Sequence, residues 1–328
     1  NFSMKAIGLS SYGGPQVLHV VDLPEPHAGP GEVRVRVRAA GVNPADLMLR
    51  DGSLADWYRD VEPPFIPGMD VAGTIDEIAD DVRPIEGESL SLGTDVVGIV
   101  DNHGRHGGYS EYVVLPAESV TRKPAGITFP QAASFLMNAL TARCALDALA
   151  LAPGATLVVT GAAGAVGGYT VQLAAAEGQR VIAVASEGDT ELLRSYGAEA
   201  VVPRGDDVVQ QVLGLAPTGV DAVVDTARLH EYIAPAVRND GQIAVFRFWE
   251  GAPGRGITVH PVNVRTRATD HAAIAGLREQ IQSGLLTPRV AAALPADEVA
   301  KAHSMVEEGG LRGRVILAFP PTTPGSTR

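Results

Sequence analysis

Apolar and polar residues alternate in two different ways along the 328-residue chain. Up to about residue 125, short apolar runs are separated by glycine and proline. In residues 32–38, EVRVRVR, valine alternates with arginine. A period of two predicts a β-strand with one face in the core and the other in water. We therefore predict a small, irregular β-rich domain over residues 4–125.

The pattern changes at Thr128, a plausible N-cap for a helical stretch in which Pro130 falls close to the first turn. Beyond it, runs that are apolar throughout, such as 156–160, alternate with helix-like segments. Strands buried on both faces, each followed by a helix, predict a parallel sheet covered by helices on both sides. The predicted fold class is α/β, with a doubly wound parallel sheet over residues 126–265.

The last part of the chain predicts one amphipathic helix, a second helix over residues 296–308 and a terminal strand, GRVILAF, at 313–319. We expect this part to return to the β-rich domain, so that the domain is discontinuous and comprises 4–125 and 266–319. Residues 320–328, PPTTPGSTR, are turn-forming, and we predict a disordered tail.

Composition and charge exclude several functions. A formal net charge of −12 with scattered basic residues argues against a nucleic-acid partner. The single cysteine, Cys144, excludes an intrachain disulfide and a cysteine-based structural zinc site. No run approaches the ~18–20 apolar residues of a membrane span, and we expect a cytoplasmic protein without a membrane partner.

A cluster of small residues separates the apolar run 156–160 from the helix-like segment after it. Gly161, Gly164 and Gly167 stand three apart there. Glycine permits a tight turn and lets a diphosphate approach the backbone, and a following helix offers free N–H groups to the anion. The candidate cofactor-binding residues are Gly161, Ala163, Gly164, Ala165, Val166 and Gly167. The alternative is that small residues permit close helix–strand packing without a ligand.

The end of the next apolar run bears on the choice of dinucleotide. NAD-binding folds place a carboxylate about 20 residues beyond the glycines. Here the run ends at Ser186, with Glu187 one step into the loop. Ser186 and Arg204 could bind a 2′-phosphate, which favours NADPH over NADH. Alternatively, Arg204 is a solvated loop residue and Glu187 selects NADH.

Six segments, in chain order, resemble the medium-chain dehydrogenase/reductase superfamily, and specifically its zinc-free quinone oxidoreductase and enoyl reductase branch. They are AAGVNPADLMLRDG, FIPGMDVAG, GGYSEYVVLP, AASFLMNALTARCAL, VVTGAAGAVG and GRVILAF. The resemblance implies a Rossmann domain beside a discontinuous GroES-like catalytic domain. It also implies a homodimer, for which the run 241–248, GQIAVFRF, is a suitable edge strand.

The resemblance assigns several site residues. Asn43 would reach the ribose or nicotinamide end of the cofactor, or else it caps a turn. Thr141 would border the nicotinamide, or else it is an ordinary helix threonine. The backbone at Phe246 would lie along the nicotinamide ring, in a pocket remodelled by Phe248 and Trp249.

The resemblance also bears on zinc. The positions that hold catalytic zinc in related alcohol dehydrogenases read Asn43-Pro44 and Gly68-Met69-Asp70 in this chain. A carboxylate without a cysteine or histidine neighbour does not make a three-ligand catalytic zinc site. We therefore expect no metal. We interpret His103 and His106 as solvated loop residues.

The tyrosines that often donate hydrogen bonds in this branch are replaced by Met48 and Leu54. Tyr58 could substitute, or else it packs in an apolar wall; Arg247 could stabilise a substrate oxygen, or else it pairs with Glu250. The predicted function is transfer of hydride from NADPH to a quinone or to the β-carbon of an α,β-unsaturated carbonyl. The alternative is an NADPH-binding protein without net redox turnover, either a tailoring lyase or cyclase or a regulatory binder.

Overall fold

The computed structural model describes residues 2–83, 89–246 and 248–321; of the predicted tail, 322–328 lie outside this range, as does Arg247. In the first part of the chain the strands and helices are β1 (Ser3–Gly8), β2 (His19–Pro24), β3 (Glu32–Gly41), α1 (Pro44–Asp51), β4 (Asp70–Ile78), β5 (Asp95–Ile99), β6 (Tyr112–Pro116), β7 (Val120–Arg122), α2 (Phe129–Ala132) and α3 (Leu136–Leu149).

The remaining elements follow in chain order. They are β8 (Thr156–Thr160), α4 (Ala165–Ala176), β9 (Arg180–Ala185), α5 (Thr190–Ser195), β10 (Ala200–Pro203), α6 (Val208–Leu215), β11 (Val220–Asp225), β12 (Val237–Val245), β13 (Thr258–Pro261), α7 (His271–Gln282), β14 (Val290–Pro295), α8 (Val299–Glu308) and β15 (Arg314–Ala318).

The chain divides into two compact units. The first comprises residues 1–137, 268–282 and 288–328, and the second comprises 138–267 and 283–287. The first junction lies inside α3, whereas the sequence prediction placed it at 125/126. No helix among the described residues is long and apolar enough to cross a membrane.

The first unit contains a two-stranded sheet, β1–β2, and a seven-stranded sheet. The larger sheet has the order β14-β15-β3-β4-β5-β7, with β6 also paired to β3. Because β15 runs antiparallel to β3 with Ile316 opposite Gly41, the C-terminal segment joins the sheet formed by the N-terminal segment. The apolar faces of the strands form one buried cluster with Leu49 of α1 and Val299 of α8.

The arginine face of β3 is not the wet face that the alternating pattern predicted. Arg34 is only 7% exposed. Its guanidinium pairs with Glu25 at 2.6 Å and Asp76 at 2.9 Å, and it lies 4.4 Å from the ring centre of Tyr112. Acidic and aromatic neighbours therefore cover this arginine, which a period of two along one strand could not reveal.

The second unit is a parallel sheet with the strand order β10-β9-β8-β11-β12-β13. This is the 3-2-1-4-5-6 order of a dinucleotide-binding Rossmann domain, and it confirms the predicted α/β class. The strand β12 is interior, since it pairs with β11 and with β13. The prediction that residues 241–248 form an edge strand available for dimerisation was therefore wrong. The short strand at Thr258–Pro261 occupies that edge.

The helical stretch predicted after Thr128 is confirmed at its start and broken in its middle. The Thr128 hydroxyl accepts a hydrogen bond from the Gln131 peptide N–H at 3.2 Å, and the Gln131 side chain accepts from the Thr128 N–H at 2.9 Å. This reciprocal pair is a capping box. The helix then breaks between α2 and α3, where the Met137 peptide N–H donates to the Asp70 carboxylate at 2.9 Å.

Candidate functional site

The glycines after β8 form a closely packed turn. Gly161 has a φ of +57°, and a Cβ atom there would lie 2.4 Å from the Thr226 hydroxyl oxygen. A Cβ at Gly167 would lie 2.2 Å from the Gly161 carbonyl oxygen, which accepts a hydrogen bond from the Gly164 N–H at 3.0 Å. Gly161 is thus required by backbone conformation and Gly167 by the approach of the helix to the turn.

The helix α4 begins immediately after this turn. Gly164 is its N-cap and has extended backbone angles, and Ala165 and Val166 are its first two residues. The first turn of α4 contains no acidic residue. No carboxylate of that turn opposes the positive dipole end of the helix, which suits it to bind an anion.

The structure brings Ser186 and Arg204 together. Ser186 follows β9 and Arg204 follows β10, and the Arg204 guanidinium donates to the Ser186 hydroxyl oxygen at 3.1 Å. The Ser186 hydroxyl donates in turn to the Asp189 carboxylate at 3.2 Å. Sequence reasoning missed Asp189, although it lies three residues after Ser186. The neighbouring strand ends thus present one exposed cation, one hydroxyl and one buried carboxylate.

A second polar group that sequence reasoning missed lies behind the glycine turn. The carboxylate of Asp225, the last residue of β11, accepts from the Thr160 hydroxyl at 2.7 Å and from the His230 peptide N–H at 2.8 Å. Arg228 and His230 have positive φ angles of 56° and 52°. Asp225 therefore fixes an unusually shaped loop at the carboxyl ends of β8 and β11. The sequence did contain a signal for this residue, because Asp225 is a carboxylate at the end of the apolar run VDAVVD.

The other residues that the resemblance assigned to the nicotinamide, Thr141 and Phe246, belong to separate elements of the structure. Phe246 is the first residue after β12 and is half-buried, while Thr141 is buried in α3. Arg247 lies outside the described residues. Beyond it, the Trp249 ring stacks on the His230 imidazole with ring centres 5.0 Å apart. The aromatic remodelling expected after β12 thus involves the loop that Asp225 holds.

Asn43 precedes α1 and is fully buried in the first unit. Its side-chain amide donates to the Asp70 carboxylate at 3.0 Å, and its peptide N–H donates to Asp46 at 2.8 Å. Burial raises the pKa of Asp70 to about 6, while the bonds from Asn43 and Met137 oppose that rise. The Asn43 side chain is therefore held in one orientation by a partner that can lose its charge in mildly acidic solution.

The zinc position of related dehydrogenases does not fit a metal in this chain. Each oxygen of Asp70 accepts a hydrogen bond, one from Asn43 and the other from the peptide N–H of Met137. An amide takes the place at which a thiolate ligand would stand, and zinc prefers sulfur and imidazole ligands. No group of three potential metal-binding side chains was found in the described parts of the chain. His103 packs instead against Trp57, with ring centres 5.1 Å apart.

Tyr58 is buried, with 3% of its surface exposed. Its hydroxyl donates to the backbone carbonyl of Asn102, and the carbonyl of Arg105 lies 3.3 Å away. Its ring packs against Phe65 with ring centres 5.1 Å apart. This geometry matches the packing role that was the alternative for Tyr58, because the hydroxyl already serves the backbone of the 102–105 loop.

Two family models match the chain. The model described as alcohol dehydrogenase GroES-like domain matches residues 29–125, and the model described as zinc-binding dehydrogenase matches residues 196–317. The match to a zinc-binding family does not alter the donor set at Asn43 and Asp70, which lacks cysteine and histidine.

Individual relatives cover nearly the whole chain. A 2-methylene-furan-3-one reductase of Solanum lycopersicum is 27% identical, over 96% of this chain and 79% of the relative. A quinone oxidoreductase of Mus musculus is 28% identical, over 96% of this chain and 97% of the relative. A solved structure titled NAD-dependent alcohol dehydrogenase is 30% identical, with a TM-score of 0.82 over 97% of this chain and 100% of that chain.

Proposed function

Because the chain belongs to the medium-chain dehydrogenase/reductase superfamily and is an oxidoreductase of that type, we propose that it reduces a quinone or an α,β-unsaturated carbonyl with NADPH. In the carbonyl case the hydride goes to the β-carbon. The observation that carries the choice of cofactor is the contact between Arg204 and Ser186 beside the glycine turn.

The second unit would hold the cofactor with backbone and side-chain groups. A bound nicotinamide dinucleotide in its reduced form supplies the hydride. The peptide N–H groups at the start of α4 would receive its diphosphate, because the Gly161–Gly167 turn has no side chain at its three glycines. Arg204 and Ser186 would receive the 2′-phosphate. Asp189 shares the Ser186 hydroxyl, so its negative charge would act against a phosphate at this position and the Arg204 charge would have to outweigh it.

On the substrate side, we assign Asn43 as the group that orients the reacting carbonyl or the nicotinamide end of the cofactor. Its amide is fixed by Asp70, so no reorganisation is needed when charge develops on a bound oxygen. Tyr58 takes no part, since its hydroxyl is bonded to the backbone. In the carbonyl case water supplies the proton that the α-carbon takes up.

The cofactor preference is tested by titrating wild-type protein and two arginine variants with NADPH and NADH. Arg204→Ala should weaken NADPH binding about 10- to 100-fold, because a hydrogen bond to a charged group contributes about 1.5–3 kcal/mol. NADH binding should change little. The control is Arg194→Ala, an exposed arginine in the last turn of α5. A wild type that binds NADH more tightly than NADPH would contradict the proposal.

A second candidate is an NADPH-binding protein without net redox turnover. It is favoured by the use of the Tyr58 hydroxyl within the fold, which leaves the proposed chemistry without that predicted tyrosine donor. The two candidates are separated by following the absorbance of NADPH during incubation with a panel of quinones and enones. Oxidation of NADPH by any of these acceptors supports the reductase. Tight NADPH binding without oxidation across the panel supports the second candidate.

A further inference from the structure

Three neighbouring strands of the second unit end at the same level, at the edge of the sheet where the glycine turn lies. Asp225, the last residue of β11, is opposite Thr160, the last residue of β8. Val245 ends β12 one residue after Ala244, which is opposite Val224. Adjacent strands lie about 4.8 Å apart, so the end of β12 is about 10 Å from the glycine turn. A dinucleotide with its 2′-phosphate at β9 and β10 would therefore have its nicotinamide half over the ends of β11 and β12.

The loop after β11, residues 226–230, is bonded directly to the glycine turn. The Thr226 hydroxyl donates to the Thr160 carbonyl oxygen, and the Ala227 peptide N–H donates to the Thr160 hydroxyl oxygen at 3.1 Å. At the far end of the loop, the His230 peptide N–H donates to the Asp225 carboxylate at 2.8 Å. This loop is therefore fixed relative to the turn that would receive the diphosphate.

A ring stack fixes the connection between β12 and β13 to the same loop. The Trp249 indole lies parallel to the His230 imidazole, with ring centres 5.0 Å apart and an angle of 5° between the planes. A Cβ at Gly251 would lie 2.1 Å from Nε1 of Trp249, so the indole rests against the Gly251 backbone. Leu229 and Trp249 also pack against the same apolar cluster of the unit. The stack thus joins the loop after β11 to the connection that begins at Phe246.

The His230 imidazole stands in an unfavourable place. Its Nε2 atom is buried and has no hydrogen-bond partner in the described part of the chain. The backbone of this residue has a φ of +52°, in the left-handed region. An unpaired buried nitrogen and a left-handed backbone are both destabilising, and backbone strain of this kind is concentrated at functional sites. Hydrogen bonding through Nε2 does not explain the imidazole, whereas the flat surface that it offers to Trp249 does.

We propose that His230 and Trp249 are positioning residues, whose stack fixes the connection after β12 relative to the loop after β11. The inference rests on the proposed binding of NADPH, whose nicotinamide ribose and ring would lie over these two segments. Because the phosphate groups are assigned to the glycine turn and to Arg204 and Ser186, the stack controls the placement of the ring more than the affinity. Hydride transfer depends steeply on this placement, since a displacement of about 1 Å can cost about 100-fold in rate.

A matched pair of variants isolates the stack. His230→Phe keeps a flat ring for Trp249, whereas His230→Leu removes it. Neither phenylalanine nor leucine is branched at Cβ, so the left-handed backbone at position 230 is strained to a similar degree in both variants. The control Tyr232→Leu removes an exposed aromatic ring two residues away. Urea unfolding identifies the conditions under which all three variants are folded.

The first measurement needs no electron acceptor. Time-resolved fluorescence anisotropy follows the rotation of the dihydronicotinamide ring of NADPH bound to each protein. In the wild type, in His230→Phe and in the control, this ring should rotate with the whole protein. In His230→Leu a fast local component should appear, while the Kd for NADPH stays within about threefold of the wild-type value.

The second measurement is the rate of hydride transfer in a single turnover with a quinone or enone acceptor. We expect His230→Leu to be about 10- to 100-fold slower than the wild type, and His230→Phe to stay within about threefold of it. A slow transfer together with a nearly unchanged Kd distinguishes loss of positioning from damage to the binding site.

The outcomes separate this inference from the proposed function. Equal anisotropy decays in His230→Phe and His230→Leu would overturn the inference, whether both match the wild type or both differ from it. If the wild type binds NADPH but reduces no acceptor, the reductase proposal fails, and the anisotropy decays still decide the role of the stack. If neither NADPH nor NADH binds, the cofactor proposal fails and this inference fails with it.

Discussion

Replacing Gly167 by alanine tests the packing of the glycine turn directly. A Cβ at this position would lie 2.2 Å from the Gly161 carbonyl oxygen and 2.8 Å from the Ala162 Cα atom. Contacts this short are not tolerated, so the start of α4 and the turn must move apart. The Gly161 oxygen also accepts from the Gly164 N–H at 3.0 Å, and the movement would disturb this bond.

The magnitude follows from overpacking and from lost binding geometry. Overpacking a tightly packed site costs about 1–3 kcal/mol of the free energy of unfolding. We further expect the Kd for NADPH to rise at least tenfold, corresponding to about 1.4 kcal/mol, because the N–H groups at the start of α4 no longer converge on the diphosphate. Urea denaturation measures the first quantity, and the fluorescence of bound NADPH measures the second on the folded protein.

The matched control is Gly214→Ala in α6. This glycine is exposed, and a Cβ there would meet no atom within 4 Å. Alanine in a helix is favoured over glycine by about 0.5–1 kcal/mol, so the control should be as stable as the wild type or more stable, with unchanged NADPH binding. The reasoning is refuted if Gly167→Ala unfolds at the wild-type urea concentration and binds NADPH with the wild-type Kd.

Three further predictions concern buried charges. Asp225→Asn should lower the free energy of unfolding by about 2–3 kcal/mol, because an amide nitrogen would face peptide N–H donors; equal urea midpoints would contradict this. Arg34→Met should cost about 3–5 kcal/mol by leaving Asp76 without its partner, and a cost below about 1 kcal/mol would mean that the pair is effectively solvated. The folded-state pKa values of Asp46 and Asp70, about 7 and about 6, lie above their ordinary value of 3.8. At Asp46 and Asp70 the folded protein therefore binds more protons than the unfolded chain between these values, so these two groups lower the stability as pH rises from about 4 to about 7, by about 4 kcal/mol for Asp46 alone. The pKa of His303, which burial lowers to about 3, contributes in the opposite direction below about pH 6.5. Urea unfolding of the wild type and Asp46→Asn across this range isolates the Asp46 contribution, because His303 is present in both proteins. A stability of the wild type relative to Asp46→Asn that does not decrease as pH rises would contradict the assignment.

The glycine turn after β8 could be predicted from the sequence because its determinants are local. The requirement for glycine at 161 and 167 comes from the chain's own turn geometry and from a helix that begins a few residues later. The meeting of Ser186 and Arg204 was also predictable, because each follows a strand, and the carboxyl ends of adjacent parallel strands lie at one edge of a sheet. The structure adds Asp189, whose contact depends on the shape of the loop.

The contacts that sequence reasoning missed join distant parts of the chain. Arg50 and His303 are 253 residues apart, and only the return of the C-terminal segment to the first sheet brings them together. The burial of Arg34 on β3 was missed for the same reason. Residues of other segments cover this side chain, and the alternation within one strand carries no information about them. The edge strand β13 was missed because it is only four residues long and ends in proline, so it gives almost no periodic signal.

A crystal structure of the protein with NADPH tests the central claim most directly. We predict diphosphate oxygens about 2.7–3.2 Å from peptide N–H groups at residues 163–166, with the 2′-phosphate in contact with Arg204 and Ser186. A dinucleotide bound elsewhere on the chain, with the turn between Gly161 and Gly167 making no contact to it, would contradict the account.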